Sequence, residues 1–165
     1  MAETSPSRVE IERKFLVDRP PPELGQGERI EQGYLVVGDD GVEVRVRRRG
    51  ADTTLTVKSG PGMVRVEEEL AIDERRFESL WALTGERRVS KTRHLIPLDS
   101  GLTAELDVYA GAHEGLLTVE IEFPSVQASE AFAPPAWLGR EVTGDGRFAN
   151  QALALGGRPP PLQDD

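Results

Sequence analysis

The side chains of this chain best suited to chemistry are carboxylates and cations that recur two residues apart. In "VEIERKFLV", Val9 to Val17, a strand's period of two puts Glu10, Glu12 and Lys14 on one face, opposite Val9, Ile11, Phe15 and Val17. The same parity continues through other segments. "VEVRVRR" sets Glu43, Arg45 and Arg47 against three valines, and "TTLTVKS" sets Thr54, Thr56 and Lys58 against Leu55 and Val57. Arg65, Glu67 and Glu69 share a face, as do Lys91 with Arg93, Glu105 with Asp107, and Glu120 with Glu122. Hard oxygen donors of this kind suit Mg²⁺ or Mn²⁺, and arginine forks match the oxygens of phosphate groups.

Two readings fit such faces. Taken singly, an E-x-E or R-x-R strand is most simply a solvated surface. Taken together, the charges are sorted, with acidic pairs on four segments and basic residues on three others. Like charges repeated at i and i+2 are unfavourable unless something neutralises them. Of the 20 basic residues only Lys14, Lys58 and Lys91 are lysines, and all three fall on this face. The second reading is an inverted barrel, apolar outside under helices and charged in a water-filled lumen.

The elements that must position these residues are short strands. They are expected at Val9–Val17, Ile30–Val37, Val42–Arg48, Thr53–Ser59, Val64–Ile72, Val89–Leu95, Thr103–Tyr109 and Leu117–Phe123, with turns at "GDDG" (Gly38–Gly41) and "SGPG" (Ser59–Gly62). A helix is expected from an Asp73 N-cap to about Thr84, with Gly85 as its stop. A second is expected over about Arg147–Leu155, a short one over Ser125–Phe132, and a single turn at Pro20–Leu24. Eight strands with few helices indicate an α+β antiparallel barrel or sandwich. His113, beside the "GAHEG" turn, reads as a loop residue. Met1–Ser7 reads as a disordered leader, residues 8–155 as one domain, and Gly156–Asp165, rich in Pro and Gly, as a disordered tail.

Composition narrows the function classes. The 165 residues carry a net charge of −9, with 38% hydrophobic and 30% charged residues. That balance suits a globular domain and disfavours nucleic acid or an anionic membrane as partner. Zero cysteines excludes disulfides and thiolate metal sites and suits a cytoplasmic location. No apolar run approaches the ~20 residues of a membrane-spanning helix.

The motifs as a set resemble the CYTH superfamily, also called triphosphate tunnel metalloenzymes. "EIERK" (Glu10–Lys14) is similar to its E-x-E-x-K signature. "QGYL", "VRVR", "LTVK", "KTR", "ELDVY", "VEIEF" and "WLGREVTGDGRFAN" follow in the order of the short bacterial members, over about Val9 to Leu155. The resemblance implies an eight-stranded antiparallel β-barrel tunnel with a charged lumen, helices packed outside and a C-terminal helix closing one mouth. It implies one or two Mg²⁺ or Mn²⁺ ions held by Glu10, Glu12, Asp107, Glu120 and Glu122. It implies phosphate binding by Lys14, Arg45, Arg47, Lys58, Lys91, Arg93 and Arg147, with Glu67, Glu69 and Glu105 as supporting acidic residues. Lys91, Arg93, Glu12 and Glu122 are the expected catalytic set. His94, in the place usual for tyrosine, has outward parity and is given no chemistry.

The implied activity is metal-dependent hydrolysis of the terminal phosphoanhydride of tripolyphosphate or a related triphosphate, by a monomer or homodimer. Adenylate cyclisation would need a base pocket and thiamine triphosphate an aromatic platform, yet aromatic residues are only 5% of the chain. A non-catalytic polyphosphate binder would need the cations but not the carboxylates. A nucleic-acid module on "RVRRRG" is opposed by the acidic net charge.

Overall fold

The computed structural model describes residues 11–59, 66–157 and 159. Glu10, the expected leader, most of the expected tail and the "SGPG" turn beyond Ser59 lie outside the described residues. Eight strands occur in chain order: β1 (Ile11–Leu16), β2 (Glu28–Val37), β3 (Glu43–Arg49), β4 (Asp52–Ser59), β5 (Val66–Ala71), β6 (Arg88–Pro97), β7 (Thr103–Tyr109) and β8 (Leu117–Phe123). Each matches an expected segment to within a few residues. They form one antiparallel sheet in the order β1-β8-β7-β6-β2-β3-β4-β5.

Register decides which side chains share a face, because residues directly opposite in an antiparallel pair point the same way. Lys14 lies opposite Glu120, Glu120 opposite Glu105, and Asp107 opposite Arg93. Ile30 links Lys91 to Arg49 and Gln32 links Val89 to Arg47, which carries the face across β2. Glu43 then lies opposite Lys58, and Lys58 opposite Glu67. A bulge between Tyr34 and Val36 shifts the β2–β3 register by one residue at the far end of this face.

The other face is apolar and covered. Helix α1 (Glu74–Leu83) starts at Asp73, whose carboxylate accepts the Arg76 N–H at 2.7 Å, and Gly85 follows at φ +59°. It packs on β2, β3 and β4 and buries Phe77. Phe77 stacks on Trp81 with ring centroids 5.4 Å apart, and the Arg48 guanidinium covers its ring at 4.3 Å. Helix α2 (Val126–Ala131), capped by Ser125, packs on β1 and β8 over a core of Phe15, Leu106, Val119, Ile121 and Phe123.

Helix α3 (Asn150–Gly156) packs on the charged face instead. With Phe148 it buries Leu153 and Ala154 against Tyr34, Val89 and Tyr109, which share the parity of Lys91 and Arg45. One end of the charged face is therefore closed by an apolar plug, as the family resemblance implied. The free side of β1 is lined by residues 139–142: Gly139 N donates to Leu16 O and Val142 N to Lys14 O, both at 2.8 Å. A Cβ on Gly139 would lie 2.8 Å from the Leu16 carbonyl oxygen, so this approach requires glycine.

Four expectations need correction. No helical turn forms at Pro20–Leu24, where three consecutive prolines lack donors and hold each preceding residue extended. The helix expected from Arg147 divides into a 3₁₀ turn, Gly146–Phe148, and α3, because Ala149 between them is extended. Gly156 belongs to α3 and not to the tail. His113 is buried, its Nε2 bonded to the Leu153 carbonyl at 2.7 Å, so it anchors α3. Among the described residues no helix is long and apolar enough to cross a membrane.

Candidate functional site

The choice between a wet face and a lining is settled by burial. The side chains of Lys91 and Asp107 are 4% and 0% exposed, and those of Arg45, Lys14 and Arg93 are 11%, 12% and 14% exposed. Charged groups are almost never buried this far on an open sheet surface. These charges are withdrawn from bulk solvent and paired with one another.

Its centre is Arg93. Its Nε donates to Asp107 Oδ1 at 2.7 Å and its Nη2 to Asp107 Oδ2 at 2.8 Å, a bidentate fork. The same guanidinium reaches Glu120 at 3.2 Å and Glu105. Asp107 Oδ2 also accepts from the Lys91 ammonium at 2.5 Å, so both of its oxygens are engaged. Lys14 completes the group, donating to Glu120 at 3.0 Å and to the Phe148 carbonyl at 2.8 Å.

The electrostatics follow from this packing. Burial works to lower the Arg93 pKa, but the Asp107 hydrogen bonds and the charges of Asp107, Glu120 and Glu105 outweigh it and raise it. Burial likewise pushes Lys91 down, against the opposing pull of Asp107. For Glu120, burial favours the neutral acid, yet Lys14, Lys91 and Arg93 overcome it and bring the carboxyl down to about 2.

The second group lies on β3, β4 and β5. Arg47 donates to Glu69 at 3.0 Å, Lys58 lies 2.9 Å from Glu67, and Thr56 donates to Glu69 at 3.2 Å. Arg45 is less well satisfied. Its nearest carboxylates, Glu43 and Glu67, stand at 3.7 and 3.8 Å, and its Nε is buried without a hydrogen-bond partner. Burial lowers the Arg47 pKa, and the positive charges of Arg45, Arg49 and Arg93 lower it further, with Glu69 opposing. The cations of this half are matched by carboxylates, and the unsatisfied donor among them, Arg45 Nε, is one that an anion's oxygen can meet. A cleft of about 750 Å³ opens beside them, lined by Arg47 and Arg49 together with Glu28, Asp52, Glu69 and Glu74.

Lys14, Arg45, Arg47, Lys58, Lys91, Arg93, Glu67, Glu69, Glu105, Asp107 and Glu120 thus share one face, as expected. Glu12 and Glu122 lie directly opposite each other at its edge, both exposed. Among the described residues no three His, Cys, Asp or Glu side chains converge as a ready metal site. Arg147 stands apart: it is exposed and held by Asp145, with Nη2 to Oδ2 at 2.6 Å. His94 lies on the outer face, bonded to the Gly25 carbonyl at 2.9 Å.

The basic run of β3 does not form one surface. Arg48 turns outward to Glu31, Glu74 and Glu78, while Arg49 pairs with Glu28 at 2.5 Å. Glu43, placed on this face by its parity, and Arg49, which ends the same alternation, were not among the expected site residues. Tyr109 and Asn150 were also missed: their types say nothing until α3 is placed beside β7.

The Glu120 environment predicts the protein's response to acid. A carboxyl depressed in the folded state contributes stability above its ordinary pKa and loses it as pH falls through the folded value. A shift from the ordinary 4.5 to about 2 corresponds to about 3 kcal/mol. In chelator, folding stability is expected to drop by about that much between pH 5 and pH 2, and Glu120→Gln to flatten the drop. Equal pH slopes for both proteins, measured by urea unfolding, would contradict the assignment.

No family model matches the chain. It is similar to the inorganic triphosphatase of Nitrosomonas europaea, 47% identical over 147 residues, which covers 89% of this chain and 97% of that protein. The inorganic triphosphatase of Acetivibrio thermocellus is 37% identical over 147 residues, 87% of this chain and 92% of the relative. A crystal structure of an inorganic triphosphatase matches with a TM-score of 0.74 at 46% identity, covering 91% of this chain and 97% of that one.

Proposed function

The chain belongs to the CYTH superfamily of triphosphate tunnel metalloenzymes, and from that premise we propose that it hydrolyses the terminal phosphoanhydride bond of inorganic tripolyphosphate with a divalent cation. The observation that carries this reading is the row of buried arginines and lysines on one face, with Arg45 Nε lacking a partner. A linear triphosphate carries several negative charges at neutral pH, and its non-bridging oxygens accept what these side chains donate. The relatives named inorganic triphosphatase align over nearly their whole length, which supports the substrate class.

In this reading Arg45, Arg47 and Lys58 grip one part of the phosphate chain, and Lys14, Lys91 and Arg93 the other. Charge accumulating on the transferred phosphoryl oxygens is stabilised by Lys91 and Arg93, held in place beforehand by Asp107. Asp107 orients this pair, because both its oxygens already serve them. Glu12 and Glu122 offer hard oxygen donors opposite one another, a chemistry that fits Mg²⁺ or Mn²⁺, and Glu10 and Glu120 extend the set. Such an ion, when bound, supplies charge neutralisation at the phosphate oxygens and lowers the pKa of a water molecule. The α3 plug excludes bulk water from one end of the charged face, which strengthens every interaction within it.

Phosphate release from tripolyphosphate tests the proposal. Release is expected with Mg²⁺ or Mn²⁺ and loss of it with chelator, with much slower release from ATP and thiamine triphosphate. Release that ignores chelator would overturn the metal requirement, and no release at all would favour a phosphate-binding protein without catalysis.

A further inference from the structure

We propose that Asn150 is a positioning residue that, together with Tyr109, aims the Lys91 ammonium at substrate; the inference rests on the phosphate-gripping role of Lys91 given above. Asn150 Oδ1 is a shared acceptor, taking the Tyr109 hydroxyl at 2.9 Å and reaching the Lys91 ammonium at 3.4 Å. Lys91 and Tyr109 are opposite each other in the β6–β7 ladder, and the ammonium lies 5.5 Å from the tyrosine ring centroid. Tyr109 is buried, and its hydroxyl is the donor to Asn150.

An ammonium has three donors. Asp107 takes one of them and Asn150 faces a second, so the third has a defined direction along the charged face. The same segment restrains the other lysine, since the Phe148 carbonyl accepts from Lys14 at 2.8 Å. Residues 148–150 thus do more than plug one end: they set the direction of two of the three lysines. His113 holds the arrangement from behind through the Leu153 carbonyl.

The choice of variants separates positioning from packing. Asn150→Ala removes the shared acceptor. Asn150→Asp keeps an acceptor oxygen in place, exchanging the amide NH₂ for a second oxygen and adding a negative charge. Tyr109→Phe removes one hydroxyl and keeps the ring. With tripolyphosphate at saturating metal, Asn150→Ala is expected to lose about tenfold in kcat/KM, chiefly through kcat, as misaligned catalytic groups do. Asn150→Asp should keep at least about a third of the wild-type value, and Asn150→Ala with Tyr109→Phe should be no worse than Asn150→Ala alone, because both act through one shared acceptor. An Asn150→Ala enzyme with wild-type kcat/KM, an Asn150→Asp no better than Asn150→Ala, or additive losses would each overturn the inference.

A second readout does not depend on turnover. The chain has three lysines, so lysine-labelled protein shows three side-chain ammonium signals by NMR. The Lys91 signal should move in Asn150→Ala, which removes the acceptor facing the ammonium. If wild type releases no phosphate while the signals behave so, the functional reading fails and the positioning stands. A Lys91 signal unmoved in a folded Asn150→Ala ends the positioning.

Discussion

Arg93→Ala is expected to lower kcat/KM for tripolyphosphate by about 10³-fold, at the upper end of what removing one preorganised donor costs. Arg93 makes two bonds to Asp107 and reaches Glu120 and Glu105, so one guanidinium balances three carboxylates from two strands. Two losses combine. The donors that would meet the transferred phosphoryl disappear, and the buried Asp107 keeps only Lys91 as its counter-ion. Breaking a buried pair by removing one partner costs about 3–5 kcal/mol. Arg93→Ala should therefore also lower the unfolding midpoint.

Arg93→Lys separates the effects. A lysine keeps the charge but cannot reproduce the fork, so stability should largely return while kcat/KM stays about 10²-fold down. Steady-state kinetics beside urea unfolding reads both quantities. Wild-type turnover in either variant would remove Arg93 from the chemistry.

The second large effect concerns the carboxylates at the mouth of the face. Glu12→Gln and Glu122→Gln are each expected to reduce turnover by about 10²–10³-fold, with the half-saturating Mg²⁺ or Mn²⁺ concentration raised by tenfold or more. Amide oxygens are weaker ligands than carboxylates for hard cations. The two glutamates are exposed and directly opposite across β1 and β8. A variant with unchanged metal response would take that residue out of the ligand set, whatever its rate.

Much of this site was legible before any coordinates. Alternation is a local property: whichever strands pair, Glu43, Arg45, Arg47 and Arg49 must share a face, and so must Lys91 and Arg93. The helix over Glu74–Leu83 was legible for a similar reason, its Asp73 cap and Gly85 stop lying within the segment itself. The failures were of another kind. Three prolines overrode the hint of a turn at Pro20–Leu24, and an extended Ala149 divided the last helix, both through backbone geometry that side-chain periodicity does not report. Arg147 carried a family expectation but satisfies its guanidinium two residues away, on Asp145.

The amino-acid order alone therefore determined that this protein carries a strand face of sorted carboxylates and cations, because a two-residue period needs no distant partner. Tertiary structure decided the rest. Only register and strand order bring Asp107 between Lys91 and Arg93 and let Glu120 serve Lys14 from more than a hundred residues away. Only the seating of α3 on the charged face sets Asn150 beside Tyr109 and Lys91. Such contacts depend on how separate segments pack against each other, and a hydrogen bond between residues distant in the chain leaves no period within either segment to read.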